Sequence, residues 1–260
     1  AFVSQLWTKR MATSGGFRPV QWSIVGGTNH GWLSIDQEGV LSGFPASQNV
    51  GPVTVTVRAK VASDASMADE RTLTFDVRSG TPYFYSGFEG VCPAGWSLAG
   101  DWQCGVPIPA AQGEHDRPAV AYAGSHVLAT QLADNHNTHQ NWVGARSPTI
   151  SLAGATNPVA YFRMWMFTWG LNDSGMNLKV VTNGTPQLHS DVDPSYFVNL
   201  PSPAQLGWGG DHAGSGWRLV RVDLSAYAGQ DVQLEFSFRA ANSSIRRPGV
   251  YIDEVIVMEE

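Results

Sequence analysis

The chain has 260 residues, which is enough for one large domain or two modest ones. A hydrophobic content of 43% and a charged content of 15% describe a globular chain with a polar, weakly charged surface. The net charge of −6 argues against a nucleic acid partner, because phosphate binding requires clustered Lys and Arg. No apolar run approaches the roughly 20 residues of a membrane-spanning helix, so we expect no membrane span.

Turn residues and alternating patterns indicate the fold class. The chain contains 28 Gly and 15 Pro, and no stretch shows sustained helical periodicity. We therefore predict an all-β fold. The two cysteines, Cys92 and Cys104, flank one short loop. A loop-closing disulfide in a secreted protein is the favoured interpretation, and free thiols are the alternative. Because the chain begins at Ala1 with neither Met nor a signal peptide, we expect it to be a piece of a longer protein.

Residues 1–79 are predicted to form a first domain of short strands. Residues 53–59 (VTVTVRA) and 71–78 (RTLTFDVR) alternate apolar and polar side chains, as half-buried strands do. The run from Trp22 through WLSIDQEGVLSGFPASQNVGPVTVTVRA to LTFDV resembles the bacterial Ig-like domains that are related to cadherin repeats. The resemblance implies an Ig-like β-sandwich that acts as a spacer or adhesion module.

Residues 80–82 are predicted to be a short linker, and residues 83–260 a second domain. Several landmarks occur there in order: FEG, PAGW, GSHVLATQLADN, GWRLVRVDLSAYAGQDVQLEF and GVYIDEVIV. They resemble the jelly-roll accessory domain shared by meprin-type adhesion (MAM) modules, the C-terminal part of immune-inhibitor-A-like peptidases and bacterial cleaved-adhesin domains. The resemblance implies a jelly-roll β-sandwich in a secreted or cell-surface bacterial protein.

The closing strand of this domain carries two acids within an apolar run. In residues 249–257 (GVYIDEVIV), strict alternation places Ile252 and Glu254 on one face and Asp253 and Val255 on the other. A carboxylate buried in such a run is costly unless a partner compensates its charge.

Glu89 and Asp253 are candidate calcium ligands. Each is an acid among apolar strand residues, one at the start and one at the end of the second domain, and the first and last strands of a jelly roll lie close together. Carboxylates placed together repel unless a cation lies between them, and hard oxygen ligands favour calcium. The family resemblance also implies a structural calcium near these positions. Asp101 is a candidate third ligand, and pairing of the acids with Arg or backbone amides is the alternative.

A tryptophan and a pair of histidines are further candidates for binding. Trp208, within the sequence GWGG, is the candidate exposed ring for stacking on a sugar, with core packing as the alternative. His136 and His139 lie in a polar loop and are expected to be solvated, because no third zinc ligand accompanies them.

A basic pair completes the candidates. Arg246 and Arg247 precede Pro248 and are expected in an exposed loop, with contact to a carboxylate of a partner as the alternative.

The sequence carries neither an HExxH zinc-peptidase motif nor a GxSxG nucleophile elbow, so we predict that this region is not itself an enzyme. We expect a non-catalytic accessory or adhesion region that binds an extracellular protein or polysaccharide and holds an attached catalytic domain at its target. The alternatives are a dedicated carbohydrate-binding module and a structural C-terminal region that supports a secreted metallopeptidase. Fold analogy carries much of this functional prediction.

Overall fold

The computed structural model describes residues 7–11, 13, 19–80, 82–90, 92–111, 116–170, 173–200, 204–212, 216–241 and 246–260. The chain divides into two compact units, Ala1–Thr81 and Pro82–Glu260. Within the described ranges the regular elements are β-strands and two short 3-10 turns, which confirms the all-β prediction. No helix in these ranges has the length and apolar character that crossing a membrane would require.

The first unit is a small sandwich built around alternating strands. Its described strands are β1 (Trp7–Arg10), β2 (Val20–Thr28), β3 (Leu33–Ile35), β4 (Val40–Gly43), β5 (Gly51–Val61) and β6 (Asp64–Val77). They pair in the orders β1-β4-β3 and β2-β5-β6. Every second residue of β5, namely Val53, Val55 and Val57, is buried, as the alternation predicts. Trp7 stacks on Phe75 with ring centroids 4.4 Å apart, so aromatic rings also contribute to this core.

The second unit holds the remaining strands. They are β7 (Phe84–Ser86), β8 (Ser97–Leu98), β9 (Gln103–Gly105), β10 (Val127–Ala129), β11 (His139–Arg146), β12 (Ile150–Ser151), β13 (Pro158–Phe167), β14 (Ser174–Thr182), β15 (Thr185–Leu188), β16 (Val192–Asp193), β17 (Val198–Leu200), β18 (Gln205–Gly209), β19 (Arg218–Asp223), β20 (Asp231–Ala240) and β21 (Gly249–Glu259).

These strands form two sheets that enclose one core. Within the described residues the first sheet has seven strands in the order β16-β19-β13-β21-β10-β9, with β7 also on β21. The second has eight in the order β17-β18-β14-β20-β11-β8, with β12 on β20 and β15 on β14. Side chains from both sheets share one buried cluster, including Phe162 and Ile252 from the first sheet and Phe236 from the second. This is the two-sheet packing of a β-sandwich.

The first and last strands of the second unit are direct neighbours. β7 pairs antiparallel with residues 255–257 of β21, and β10 pairs with residues 251–252 on the same edge, opposite β13. The expectation that these strands lie side by side is therefore confirmed. Asp253 and Glu254 occupy the interval between β10 and β7, and the chain leaving β7 carries Glu89 towards them.

Candidate metal centre

A β-bulge in β21 turns two successive carboxylates to the same side of the sheet. Between two of its pairs with β13, β21 carries one residue more than the facing strand. Glu254 lies at this point with a φ of 53°, which is uncommon for a residue other than glycine. Because the extra residue reverses the alternation, Ile252 and Val255 both point into the core. The prediction that Glu254 shares a face with Ile252, and Val255 with Asp253, is therefore wrong.

Asp253 is a fully buried carboxylate held by backbone amides. It is 0% exposed. Its Oδ2 accepts a hydrogen bond from the Ala123 N–H at 2.9 Å, and its Oδ1 accepts one from the Glu254 N–H at 2.7 Å. Among the described residues no Lys or Arg forms an ion pair with it. Burial first, and then the negative charges of Glu254 and Glu89, raise the pKa of Asp253 well above its ordinary value.

Glu254 adds a third acid, which strict alternation had placed on the opposite face from Asp253. It is 9% exposed, and its Oε1 accepts a hydrogen bond from the Tyr85 hydroxyl at 2.7 Å. Burial of the Tyr85 hydroxyl and the charge of Glu254 both raise the pKa of that tyrosine, so it remains a proton donor. The signal in the sequence was the adjacent acid pair Asp253-Glu254 in an apolar strand, which a regular strand cannot direct to one side.

Glu89 is bound by the loop that also holds Asp253. Its Oε1 accepts hydrogen bonds from the N–H groups of Ser125 and His126 at 2.8 and 3.1 Å, and its Oε2 accepts one from the Ser125 hydroxyl at 2.9 Å. Gly124 has a φ of 57°, and a Cβ there would lie 2.0 Å from Glu89 Oε1. Glycine at this position therefore permits the loop to approach the carboxylate.

The donor chemistry of these acids fits a hard cation. Two of the roughly four lone-pair positions of Asp253 accept amides, which leaves positions for a cation. In the part of the chain that the structure describes, no group of three His, Cys, Asp or Glu side chains is arranged to hold a metal ion. A cation near Glu89, Asp253 and Glu254 would therefore also need backbone carbonyl oxygens or water, which calcium sites commonly use.

Asp101 lies apart from the other acids. Gln103 faces Ala129 in the pairing of β9 with β10, so Asp101 lies beyond that end of β10, whereas Asp253 lies beyond the other end. The Asp101 carboxylate accepts hydrogen bonds from the backbone and side-chain amides of Asn137. The prediction of Asp101 as a third calcium ligand is therefore wrong, because Asp101 lies beyond the opposite end of β10 from Asp253.

That loop carries His136, and strand β11 begins directly after it at His139. His139 Nε2 lies 3.0 Å from Asp101 Oδ2, and its side chain is 16% exposed. His136 is 1% exposed and packs edge-to-face on Phe238 at 5.0 Å. Burial lowers the pKa of His136. The expectation of solvated loop histidines is therefore wrong, because the His136 ring is buried against Phe238 and the His139 side chain is largely covered beside Asp101.

Trp208 lies in the core. It is 0% exposed, its indole N–H donates to the Pro194 carbonyl at 2.8 Å, and its ring contacts Phe162 and Tyr196 at 6.2 and 4.5 Å. The predicted exposed stacking ring at this position is wrong. The glycines beside it belong to strand β18, where Gly207 lies so close to β14 that a Cβ would be 2.6 Å from the Met176 carbonyl oxygen.

The two cysteines form a disulfide bridge across the loop between β7 and β9. Cys92 and Cys104 are joined, with their Cα atoms 5.1 Å apart. The favoured interpretation from the sequence is confirmed. The bridge anchors the turn that precedes the partly buried Trp96, which packs on Phe88 at 5.1 Å.

Comparison with known proteins gives one relative by sequence. No family model matches the chain. The chain is 27% identical over 177 residues to bacillopeptidase F of Bacillus subtilis (strain 168), which covers 65% of this chain and 10% of that protein. The chain thus spans about a tenth of the length of this relative.

Solved structures with a limited likeness include binding modules. The K1 cleaved adhesin domain of Lys-gingipain from Porphyromonas gingivalis W83 has a TM-score of 0.37 and 15% identity, covering 70% of this chain and 99% of that domain. The CBM22-1 xylan-binding domain of Paenibacillus barcinonensis Xyn10C has a TM-score of 0.37 and 17% identity, covering 69% of this chain and 94% of that one. At these TM-scores the likeness carries no argument about the function of this chain.

Proposed function

We propose that this chain is a non-catalytic accessory or adhesion region of a secreted or cell-surface bacterial protein. Its first unit acts as an Ig-like spacer, and its second unit binds an extracellular protein or polysaccharide. Calcium stabilises the second unit at Glu89 and Asp253. The observation that carries this proposal is the buried Asp253 carboxylate, which faces two further acids at the junction of β7, β10 and β21.

Electrostatics supports the calcium assignment. A buried carboxylate beside like charges either stays protonated or requires a cation, because ionising it in an apolar surrounding is costly. A divalent ion bound there supplies the opposite charge. Glu89 and Asp253 would hold it, with Glu254 close by and with the loop of residues 123–126 fixed by hydrogen bonds to both carboxylates. Occupation of the site would therefore tie the first strand, the last strand and this loop together.

Thermal unfolding with and without calcium tests the proposal. At a calcium concentration 100 times the Kd, binding to the native state alone adds about 2.7 kcal/mol of stability. For a unit of this size that corresponds to a rise in Tm of roughly 5–10 °C relative to protein in EGTA. Asp253→Asn and Glu89→Gln should reduce the rise strongly. Asp231→Asn, at an exposed acid of β20 in the same unit, is the matched control and should retain it. An identical melting curve in calcium and EGTA would refute the calcium assignment.

The accessory role has its own test. The similarity to bacillopeptidase F supports a parent chain with an attached peptidase, and this favours the structural alternative as well as the binding role. Deleting residues 83–260 from the parent protein should leave its peptidase activity on small substrates unchanged and weaken its retention on the extracellular target. If deletion instead abolishes the stability of the catalytic domain and no target is bound, the structural alternative replaces the binding role.

A further inference from the structure

An exposed tryptophan lies at one end of β13, in contrast to the buried rings of the same sheet. Trp169 is 40% exposed, whereas Trp165 is 4% exposed and packs on Tyr251. The Trp169 backbone is fixed, because its N–H donates to the Ser174 hydroxyl at 3.0 Å. A single exposed ring is common on protein surfaces and does not by itself indicate a binding site. Here, however, the guanidinium group of Arg247 lies over the ring.

Arg247 stacks on this tryptophan. Its guanidinium carbon lies 4.6 Å from the centre of the Trp169 ring and 5.5 Å from that of Phe167. Both distances are in the range of cation–π contacts. The Nη1 group donates to the Arg246 carbonyl at 3.0 Å, while the buried Nε–H has no hydrogen-bond partner. The guanidinium is thus held in place by aromatic rings, and no carboxylate neutralises it among the residues that the structure describes.

Arg246 is a second cation beside it, and no acid among the described residues forms an ion pair with it. It is exposed, and its Nη1 donates to the Asn137 side-chain oxygen at 3.3 Å. Other arginines of the chain do pair with acids: Arg58 with Glu70, for example, and Arg146 with Glu235. In a chain with a net charge of −6, two adjacent arginines whose partners among the described residues are neutral form a local positive patch.

The patch rests on a rigid base. The Arg247 carbonyl accepts a hydrogen bond from the His136 N–H at 2.9 Å, and His136 is buried against Phe238. Strand β21 begins two residues later at Gly249. A positioned Arg loses less conformational entropy on binding than a free surface side chain, so it is better suited to bind a ligand.

We propose that Trp169, Arg246 and Arg247 form a binding surface for a polysaccharide that carries carboxylate groups, such as a chain of uronic acids. The inference deepens the proposed binding role of the second unit and rests on it. The exposed indole ring offers an apolar surface to the C–H face of a sugar, and the arginines bind its carboxylate.

Charge and composition favour this ligand over the others. A neutral glycan would leave both guanidinium groups without a counter-charge, whereas a carboxylate forms charge-assisted hydrogen bonds with them. An acidic peptide would pair with the arginines but would make less use of the exposed indole ring. A chain of uronic acids has both a sugar ring face and a carboxylate in each repeat, so it matches both the indole ring and the arginines.

Polygalacturonate and its fully methyl-esterified form provide the test, because they share a backbone and differ in charge. We expect the intact chain to bind polygalacturonate in affinity electrophoresis or calorimetry, to bind it more weakly as salt rises, and to bind the ester at least tenfold more weakly. Trp169→Ala and the double change Arg246→Gln with Arg247→Gln should each weaken binding at least tenfold. Arg247→Lys keeps the charge and loses the planar stacking, so its affinity for polygalacturonate should lie between that of the unmodified chain and that of the double variant.

Two surface changes in the first unit serve as matched controls. Phe44→Ala removes a ring that is 63% exposed, and Arg58→Gln removes a cation that is paired with Glu70. Both should bind polygalacturonate normally. Equal binding of the ester, equal loss in the controls, or equal binding of poly-glutamate through the same arginines would overturn the inference. The melting rise in calcium is measured on every variant. If the calcium-induced rise in Tm persists and another extracellular target binds while polygalacturonate does not, only the uronate surface is refuted and the proposed function stands.

Discussion

Replacing Trp208 by alanine distinguishes a core residue from a ligand-stacking ring. The side chain is fully buried between Phe162 and Tyr196, and its N–H donates to the Pro194 carbonyl. Truncating a buried Trp to Ala costs about 3–5 kcal/mol, and the lost hydrogen bond is part of that cost. At roughly 2–4 °C per kcal/mol for a unit of this size, we expect the Tm to fall by about 6–20 °C.

Circular dichroism or calorimetric melting in calcium measures this change. Trp208→Phe keeps a ring and loses the N–H, so it should lower the free energy of unfolding by less, about 2–3 kcal/mol. Trp169→Ala, at the 40% exposed position, is the control and should shift the Tm by no more than about 2 °C. If Trp208→Ala melts within 2 °C of the unmodified chain, the ring is not part of the core and the exposed-ring prediction from the sequence is restored.

Three further results are expected. Gly124→Ala should lower stability by about 1–3 kcal/mol and weaken the calcium-induced rise in Tm, because the added Cβ meets the Glu89 carboxylate at positive φ. Replacing Cys92 and Cys104 by Ser opens a loop with a sequence separation of 12 and should cost about 2–3 kcal/mol by chemical denaturation. Because burial lowers the pKa of His136, the native state binds its proton more weakly than the unfolded state does. Its contribution to stability is therefore lost as pH falls below about 6.5, by up to about 1.4 kcal/mol per pH unit, and His136→Gln should remove that part of the pH dependence while leaving the rest.

Local patterns predicted the strands and part of the site. Alternating residues such as those of β5 reveal a half-buried strand without reference to any other segment. Asp253 was recognisable because an acid in an apolar run is itself unusual. The proximity of Glu89 followed from the expected neighbourhood of first and last strands, which β7 and β21 bear out.

The residues that the sequence misassigned depend on distant pairing. Glu254 joins the acids because a bulge against β13 shifts the alternation, and no local pattern of β21 encodes that register. Trp208 looked like part of a loop because glycines surround it, yet those glycines allow β18 to lie close to β14. Asp101 was a candidate only as a further acid that could supply an oxygen, and its partner Asn137 belongs to a loop 36 residues away.

The position of β21 in its sheet constrains the order of assembly. This strand follows every other described strand in the chain, yet it lies between β13 on one edge and β10 with β7 on the other. During synthesis those neighbours emerge first and expose unpaired backbone edges, which favour association with other chains. The first sheet therefore cannot close until residues 249–259 have been synthesised, so the second unit completes its fold only after its last described strand has emerged.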